Sequence, residues 1–337
     1  MNSLQTITKN ELYDKGPISI TDGDWSYNIS LIDRLEETPI DDKRIEILVM
    51  YSGDRNIKRI PTEQPRIVLP NTKDYEISYA GLFMLCTELV NIGPLRYWDI
   101  SNVIDIRFMF AGCTSLKDIS PLRYWNISHV KRLDGMFMSC HNLADLTALS
   151  KWDLSSCVNS SVMFFHCYSL TTLNGLENWK MPNNITTSCM FSDCYKLSDI
   201  SSVHDWDVSH IHCLSAMFEE CDIEDVSPLE NWFVSAPEVD MRSILSGNLR
   251  ISDIDSLSNW RWHVGTDMKR IFNGCYQLRN HPLILQWMND NPEWLTGYTV
   301  DDEDGTDEWI EERDKRRAKY DPCRICMRML EASYFTW

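Results

Sequence analysis

Cysteine and tryptophan recur along this chain with one period of 27 residues. The cysteine position repeats six times in succession, Asn248 stands at the seventh position, and Cys275 restores the register. Two residue types that share a period over about 200 residues predict stacked structural units, each packed on its neighbours. The cysteines are Cys86, Cys113, Cys140, Cys167, Cys194 and Cys221, and the tryptophans are Trp98, Trp125, Trp152, Trp179, Trp206, Trp232 and Trp260.

Each unit follows the consensus M-F-x-x-C-x-x-L-x-D-I-S-x-L-x-x-W-D-x-S-x-V. In the second unit, Leu116–Ile119 predicts a short strand and Trp125 a packed corner. After Ser101, which predicts a helix N-cap, apolar residues fall at spacings of 3, 4 and 3, as on one face of a helix. They are Val103, Ile106, Phe110 and Cys113. We therefore predict an α/β solenoid of about eight coils, with a short parallel strand and a helix in each.

The periodic region divides the chain into four parts, because caps must cover the apolar ends of a solenoid. The parts are an N-terminal cap or small domain (1–78), the solenoid (79–282), a C-terminal cap (283–300) and a charged tail with a C-x2-C pair (301–337). Within the first part, Arg44–Tyr51 and Arg66–Leu69 predict strands.

The period has one local irregularity. One residue is missing between Cys221 and Trp232, and one is gained between Trp232 and Asn248. The two changes cancel, so the frame survives. The unit that contains Asn248 has also lost the Met-Phe pair.

The cysteine ladder allows two interpretations. Redox or metal chemistry is one, and a buried packing position filled by a small apolar side chain is the other. Disulfides need converging Cβ vectors, which parallel stacking does not provide, so the packing interpretation is favoured. The tryptophans are interpreted in the same way, and each buried indole N–H is expected to find a carbonyl partner.

The charge of the chain narrows its classes of partner. The formal net charge is −18 and the pI about 4.8, so we expect neither nucleic acid nor an anionic membrane as partner, whereas a basic protein is compatible. The first residues contain no apolar secretory segment, and no apolar run is long enough for a spanning helix. We therefore expect an intracellular (cytoplasmic) or virion-associated protein that is not secreted.

The repeats resemble a known class of leucine-rich repeat. The segments MFAGCTSL, PLRYWNIS, MFMSCHNL, MFSDCYKL and VHDWDVSHI are similar to the BspA-like leucine-rich repeats. They are most similar to the subgroup with a W-D-x-S-x-V … M-F-x-x-C repeat, which occurs in mycoplasma surface lipoproteins, protists and large DNA viruses. The resemblance implies a leucine-rich-repeat solenoid with a binding role and no catalytic activity. Bacterial members are adhesins with signal peptides, so the missing signal favours a viral or intracellular setting.

One polar position follows the predicted strand leucine by two residues in each coil. On the concave face, these side chains form an acidic stripe whose carboxylates repel one another unless a basic partner neutralises them. Alternatively, each aspartate caps the turn of the adjacent coil through backbone amides. The candidate binding residues, with one flanking lysine, are Lys117, Asp118, Asp145, Thr172, Asp199, Asp225 and Asp253.

Catalytic motifs are missing from the sequence. It contains no GxGxxG, P-loop, HExxH or GxSxG motif. The histidines are scattered over different repeat positions, and His141 and His166 flank repeat cysteines at different offsets. We therefore predict a protein that is not an enzyme.

The tail contains the cysteine pair with the most open chemistry. Cys323 and Cys326 offer half of a tetrahedral zinc site, and D-P-C-R-I-C-M resembles the opening of a RING finger. No Cys or His follows Cys326, so a complete site needs a second copy or a distant ligand such as His281. We predict no cofactor, with zinc at this pair as the alternative.

These observations predict a non-enzymatic protein–protein interaction scaffold or adaptor, as a structural or host-interaction protein of a large DNA virus. Two alternatives remain. The first is a zinc-binding, ubiquitin-ligase-like component that uses Cys323 and Cys326. The second is a surface adhesin.

Overall fold

A computed structural model describes the chain in eight ranges. They are residues 18–22, 25–32, 45–51, 57–60, 75–183, 185–234, 236–261 and 265–290. The strand predicted at Arg44–Tyr51 is present at Ile45–Tyr51. The segment Arg66–Leu69 lies outside the described residues.

Among the described residues, five strands form one sheet in chain order. The strands are β1 (Ile18–Asp22), β2 (Trp25–Ile32), β3 (Ile45–Tyr51), β4 (Tyr75–Ser78) and β5 (Val103–Asp105). β2 pairs antiparallel with both β1 and β3. β4 pairs parallel with both β3 and β5, so the N-terminal strands continue directly into the first coils.

A ladder of parallel bridges extends the sheet from β5 through the repeats. Asp105 bridges Arg132, Arg132 bridges Asn159, and each later partner lies one coil further along. Because parallel strands lie about 4.8 Å apart, this ladder sets the distance between successive coils. Its further members are Thr186, Cys213, Asp240 and Asp267.

The helix predicted after Ser101 is not formed. Val103–Asp105 is a strand, and residues 107–112 form turns. The Phe108 N–H donates to the Asp134 carbonyl of the next coil at 2.9 Å. An α-helix keeps its amide bonds within itself, whereas alternate amides here bond the neighbouring coil. The apolar spacing of 3 and 4 therefore comes from successive turns that aim the same side chains inward.

Two positions in each coil adopt a left-handed backbone, four residues apart. Val162 has φ of 52° and His166 has φ of 61°. A helix of L-residues does not accommodate such dihedrals, because Cβ approaches the following carbonyl. Glycine, the usual signal of this conformation, fills only some of these positions. Those glycines are Gly81, Gly112, Gly135, Gly247 and Gly274.

The strand predicted at Leu116–Ile119 is also absent. At this position the described coils show only isolated bridges, of which Thr172 with Asp199 is one. Short 3-10 helices follow instead. They span Gly93–Tyr97, Ser120–Tyr124, Thr147–Leu149, Ser201–Val203, Ser227–Leu229 and Asp255–Asn259, whereas a further one, Tyr276–Leu278, lies earlier in its coil, directly after Cys275.

Stacked phenylalanine rings form the axis of the core. Phe110 and Phe137 lie 5.8 Å apart between ring centroids with 9° between their planes, and both are fully buried. Offset stacking at this separation is favourable beyond the area that it buries. The whole stack contains Phe83, Phe110, Phe137, Phe164, Phe191 and Phe218.

From Trp125 onward, tryptophan indoles link the corners to the previous coil, whereas the buried Trp98 Nε1 has no hydrogen-bond partner among the described residues. Trp152 Nε1 donates to the Leu122 carbonyl at 3.2 Å, and Trp179 Nε1 donates to the Leu149 carbonyl at 3.0 Å. The expectation of a carbonyl partner is confirmed in these coils. The bond satisfies an N–H that burial would otherwise leave unpaired.

The ladder cysteines are buried in the core as thiols. Cys140 Sγ lies 3.2 Å from the Phe110 carbonyl oxygen, and Cys167 Sγ lies 3.2 Å from that of Phe137. Each thiol therefore fills a small space and donates weakly to the preceding coil. This geometry fits the packing interpretation.

Helix α1 (Pro282–Asp290) follows the last coil. Its Trp287 is buried and stacks on Trp260 and Phe272, with centroid separations of 6.5 Å and 6.3 Å. Both aromatic ladders therefore continue onto this helix.

Candidate functional site

The predicted acidic row is present at the surface, and its aspartates cap turns. Asp118 Oδ1 accepts the Ser120 N–H at 2.8 Å, and Asp145 Oδ1 accepts the Thr147 N–H at 2.8 Å. Each of these bonds lies within one coil. The prediction that an aspartate caps the turn of the adjacent coil is therefore wrong. The same arrangement holds for Asp199, Asp225 and Asp253, and for the Thr172 hydroxyl.

Capping does not remove the charge of this row. Its aspartates are exposed, and Lys117 beside them is exposed as well. Hydrogen bonds from Thr147 lower the pKa of Asp145 below its ordinary value. The row is therefore a line of exposed, conformationally fixed carboxylates at the coil step, interrupted by Thr172 in one coil.

A second row of capped aspartates lies after the tryptophans. Asp153 Oδ1 accepts the Ser155 N–H at 2.9 Å, and Asp207 Oδ1 accepts the Ser209 N–H at 3.0 Å. Asn126 replaces aspartate in this row and makes the same bond to Ser128. Much of the acidic composition therefore serves turn formation, and asparagine performs the same structural task.

The structure brings together two histidines that the sequence leaves apart. His141 stacks on Tyr168 with 4.4 Å between ring centroids. The Tyr168 hydroxyl lies 2.8 Å from His166 Nδ1, and His166 Nε2 lies 3.3 Å from Asp193 Oδ2. Tyr195 donates to Asp193 Oδ1 at 2.9 Å. His141 directly follows one ladder cysteine, and His166 directly precedes the next. Only the repeat register therefore indicates that these two residues lie near each other.

This histidine–tyrosine cluster is a partly buried polar network. Burial, followed by the nearby His166 charge, lowers the pKa of His141 to about 4. The Tyr168–His166–Asp193 chain is satisfied by its own members, which rigidifies the central coils. We therefore interpret this histidine–tyrosine cluster as part of the packing between the central coils.

An exposed basic–aromatic patch lies at the corner of two N-terminal coils. It consists of Arg96, Tyr97, Arg123 and Tyr124, and it is called the basic–aromatic patch below. The Arg96 guanidinium carbon lies 4.9 Å from the Tyr124 ring centroid and 5.6 Å from that of Tyr97. Arg96 Nη2 also donates to the Tyr124 hydroxyl at 2.9 Å. The sequence shows the repeated R-Y pair but not its exposure.

The repeats match one protein-family model twice. The family is described as "Mycoplasma protein of unknown function, DUF285", and the matched residues are 78–203 and 188–294. The chain belongs to the DUF285 family. No curated protein and no solved structure matches the chain. The DUF285 match covers the periodic region and supports a mycoplasma-type repeat, while the family description assigns no function.

One cavity of about 440 Å³ lies in the C-terminal part of the DUF285 repeats. Arg242, Lys269 and Arg270 line it together with Glu219. Arg242 contacts Asp240 at 2.7 Å, and Lys269 contacts Asp267 at 3.3 Å. Because these carboxylates already neutralise two of the cations, the cavity has little excess positive charge.

Asp253, Asp255 and His281 form a cluster of metal-ligand type in the last DUF285 coils. His281 Nε2 lies 3.4 Å from Asp253 Oδ1 and 3.6 Å from Asp255 Oδ1. The Leu283 N–H donates to His281 Nδ1, which places the proton of a neutral imidazole on Nε2. In that tautomer Nε2 donates to the aspartates, and a metal would have to displace the Nε2 proton to bind there.

Cys323 and Cys326 lie outside the described residues. Among the residues that the structure describes, there is no helix with the length and hydropathy needed to span a bilayer.

Proposed function

We propose that this DUF285 protein is a non-enzymatic interaction scaffold, a leucine-rich-repeat solenoid of the BspA-like class that binds a basic protein segment. The carrying observation is the acidic row, in which Asp118, Asp145 and Asp199 are exposed and each held by its own turn. Exposed carboxylates at a fixed step make a charged, preorganised surface.

The buried part of each coil supports the leucine-rich-repeat assignment. One leucine follows each regular ladder cysteine by three residues and is fully buried. The fold thus uses its repeated apolar residues for packing and leaves polar positions for recognition. These leucines are Leu89, Leu116, Leu143, Leu170, Leu197 and Leu278.

Rigid carboxylates favour a basic partner for two physical reasons. The turn bonds restrict the side chains before binding, so less conformational entropy is lost on association. Like charges about one strand spacing apart repel one another, and a cationic segment relieves that repulsion. Each pair at an exposed surface contributes less than about 1 kcal/mol, so recognition depends on several coils together.

The test replaces Asp118, Asp145 and Asp199 with asparagine. Asparagine retains the turn acceptor, as Asn126 does naturally, and removes only the charge. Binding of the full chain to an immobilised lysine-rich peptide should weaken about tenfold, with an unchanged thermal unfolding midpoint.

The matched control makes the same change in the second row. Replacing Asp99, Asp153 and Asp207 with asparagine alters the net charge equally and retains the same type of turn. The control should bind the peptide nearly as the parent does. Equal weakening in both variants would show an effect of net charge alone and would refute the assignment to this face.

A further inference from the structure

The corner that carries the basic–aromatic patch has a different composition in the other coils. Where the first two coils have arginine followed by tyrosine, later coils have none of these residues. The later pairs are Ser150-Lys151, Glu177-Asn178, His204-Asp205, Glu230-Asn231 and Ser258-Asn259. Because these coils form the same corner without them, the fold does not require arginine or tyrosine there.

Both tyrosines of the patch are unusually exposed for large side chains. Tyr97 is 78% exposed and Tyr124 is 57% exposed. They add little to the core, yet they stand side by side on neighbouring coils with Arg96 between their rings. Tyrosine and arginine are enriched where proteins bind one another, since they combine apolar area with directional hydrogen bonds.

The arginines determine the charge of a suitable ligand. Arg123 Nε donates to the Ser120 carbonyl at 3.0 Å, which anchors the side chain while the guanidinium retains further donors. Arg96 is held by the tyrosine rings. Two planar guanidinium groups on adjacent coils match two carboxylates, which they bind in bidentate geometry.

We propose that the basic–aromatic patch binds an acidic peptide segment of a partner protein. Carboxylates of the segment contact Arg96 and Arg123, and its apolar atoms pack on Tyr97 and Tyr124. This inference rests on the proposed scaffold function and adds a second face with the opposite charge preference.

The rest of the corner restricts where such a segment lies. The third coil carries the exposed cation Lys151 at the same corner, and the later coils carry Glu177, Asp205 and Glu230, all of them exposed. These carboxylates repel an acidic segment, so it is confined to the first three coils and oriented by the change in charge.

The experiment measures binding of the full chain to a short synthetic peptide of aspartate and glutamate, with its asparagine–glutamine analogue as the neutral probe. Arg96→Gln combined with Arg123→Gln should weaken binding of the acidic peptide at least about tenfold. Lys180→Gln combined with Lys196→Gln removes the same charge from exposed positions that are not at this corner position and should leave binding within about twofold.

A second variant tests the aromatic part. Tyr97→Asn combined with Tyr124→Asn introduces the residue that three of the five later coils carry at this position, so folding should be retained. Binding of the acidic peptide should again fall about tenfold, with the unfolding midpoint unchanged.

Three results would overturn the proposal. They are unchanged peptide binding in the arginine variant, equal loss in the lysine control, and equally strong binding of the neutral probe. A fourth result comes from sedimentation. If the parent protein is a dimer and the arginine variant is a monomer, a second copy of this chain occupies the patch in place of an acidic peptide. Lysine-peptide binding by the acidic row is measured separately, so failure here leaves the scaffold function testable.

Discussion

The Asn248 side chain accepts the backbone N–H of Ile223, with 3.1 Å between Oδ1 and N. In a regular coil the corresponding amide bonds within its own coil, as Leu170 N–H does to the Cys167 carbonyl at 3.1 Å. The missing residue after Cys221 places Ile223 one position too early for that bond. Asn248 therefore compensates for the deletion in the neighbouring coil.

The same side chain also replaces the missing thiol. Asn248 Nδ2 donates to the Phe218 carbonyl at 2.8 Å, which is the contact that a ladder cysteine makes with the preceding coil. The missing residue after Cys221 and the replacement of the ladder cysteine by Asn248 are thus structurally linked. Loss of a residue in one coil is coupled to loss of cysteine in the next.

Restoring the consensus with Asn248→Cys should destabilise the protein. Cysteine retains the donor to Phe218 but leaves the buried Ile223 amide without an acceptor, at a cost of about 1–3 kcal/mol. Chemical denaturation with a linear-extrapolation fit measures the change. Cys167→Asn is the reciprocal control. It should also destabilise, because the equivalent amide of the preceding coil, Leu143 N–H, is already bonded to the Cys140 carbonyl. A variant Asn248→Cys as stable as the parent would contradict the compensation.

Alkylation should separate the fully buried thiols from the half-buried ones. The thiolate is the reactive form, and burial raises the pKa of Cys157 to about 12 and that of Cys275 to about 12. Cys189 and Cys213 are only half-buried. Among the described cysteines, iodoacetamide on the native protein should label Cys213 and, more slowly, Cys189, as read by peptide mapping. Labelling of Cys167 before unfolding would contradict the burial.

His141 should make stability fall in mild acid. Its folded pKa of about 4 lies below the ordinary value of 6.5, so between these values the unfolded chain binds a proton that the folded chain does not. The unfolding free energy therefore decreases as pH falls from 6.5 to 4. Solvent screening of this half-buried ring limits the effect to roughly 1–2 kcal/mol.

The His141→Tyr variant tests this origin. Tyrosine occupies the same position at Tyr168 and Tyr195, so the ring stack is retained and the titration is removed. Denaturation curves at several pH values should show a smaller acid-dependent loss in this variant. Exposed His210→Tyr is the matched control and should behave as the parent does.

Gly175→Ala should be strongly destabilising. Gly175 has φ of 104°, and a Cβ there would lie 2.6 Å from Thr147 Cα and 2.7 Å from the Leu146 carbonyl oxygen. Both are backbone atoms of the neighbouring coil, so the coils must separate, at about 2–4 kcal/mol. Gly93→Ala meets only the Asn91 side chain and should cost less than about 1 kcal/mol. Equal melting temperatures for the two variants would contradict this close approach.

The sequence was most informative where one residue repeats in one environment. The tryptophan position correctly predicted a buried indole bonded to a carbonyl, because an apolar ring with one donor has few alternatives. For the row that contains Asp118, the sequence left two interpretations, a binding stripe and a turn cap. The structure shows that Asp118 accepts a backbone N–H within its own coil. The helix after Ser101 was predicted wrongly, since turns and helices both place every third or fourth side chain inward.

By itself, the sequence determined the period, the identity of the core positions and the residues free to vary at the surface. Those follow from local chemistry repeated at a fixed step. Only the tertiary structure decided where each amide bonds, because Phe108 N–H reaches Asp134 on a neighbouring coil that no local pattern specifies. The meeting of His141 with Tyr168, and the repair of the Ile223 amide by Asn248, depend on that same stacking.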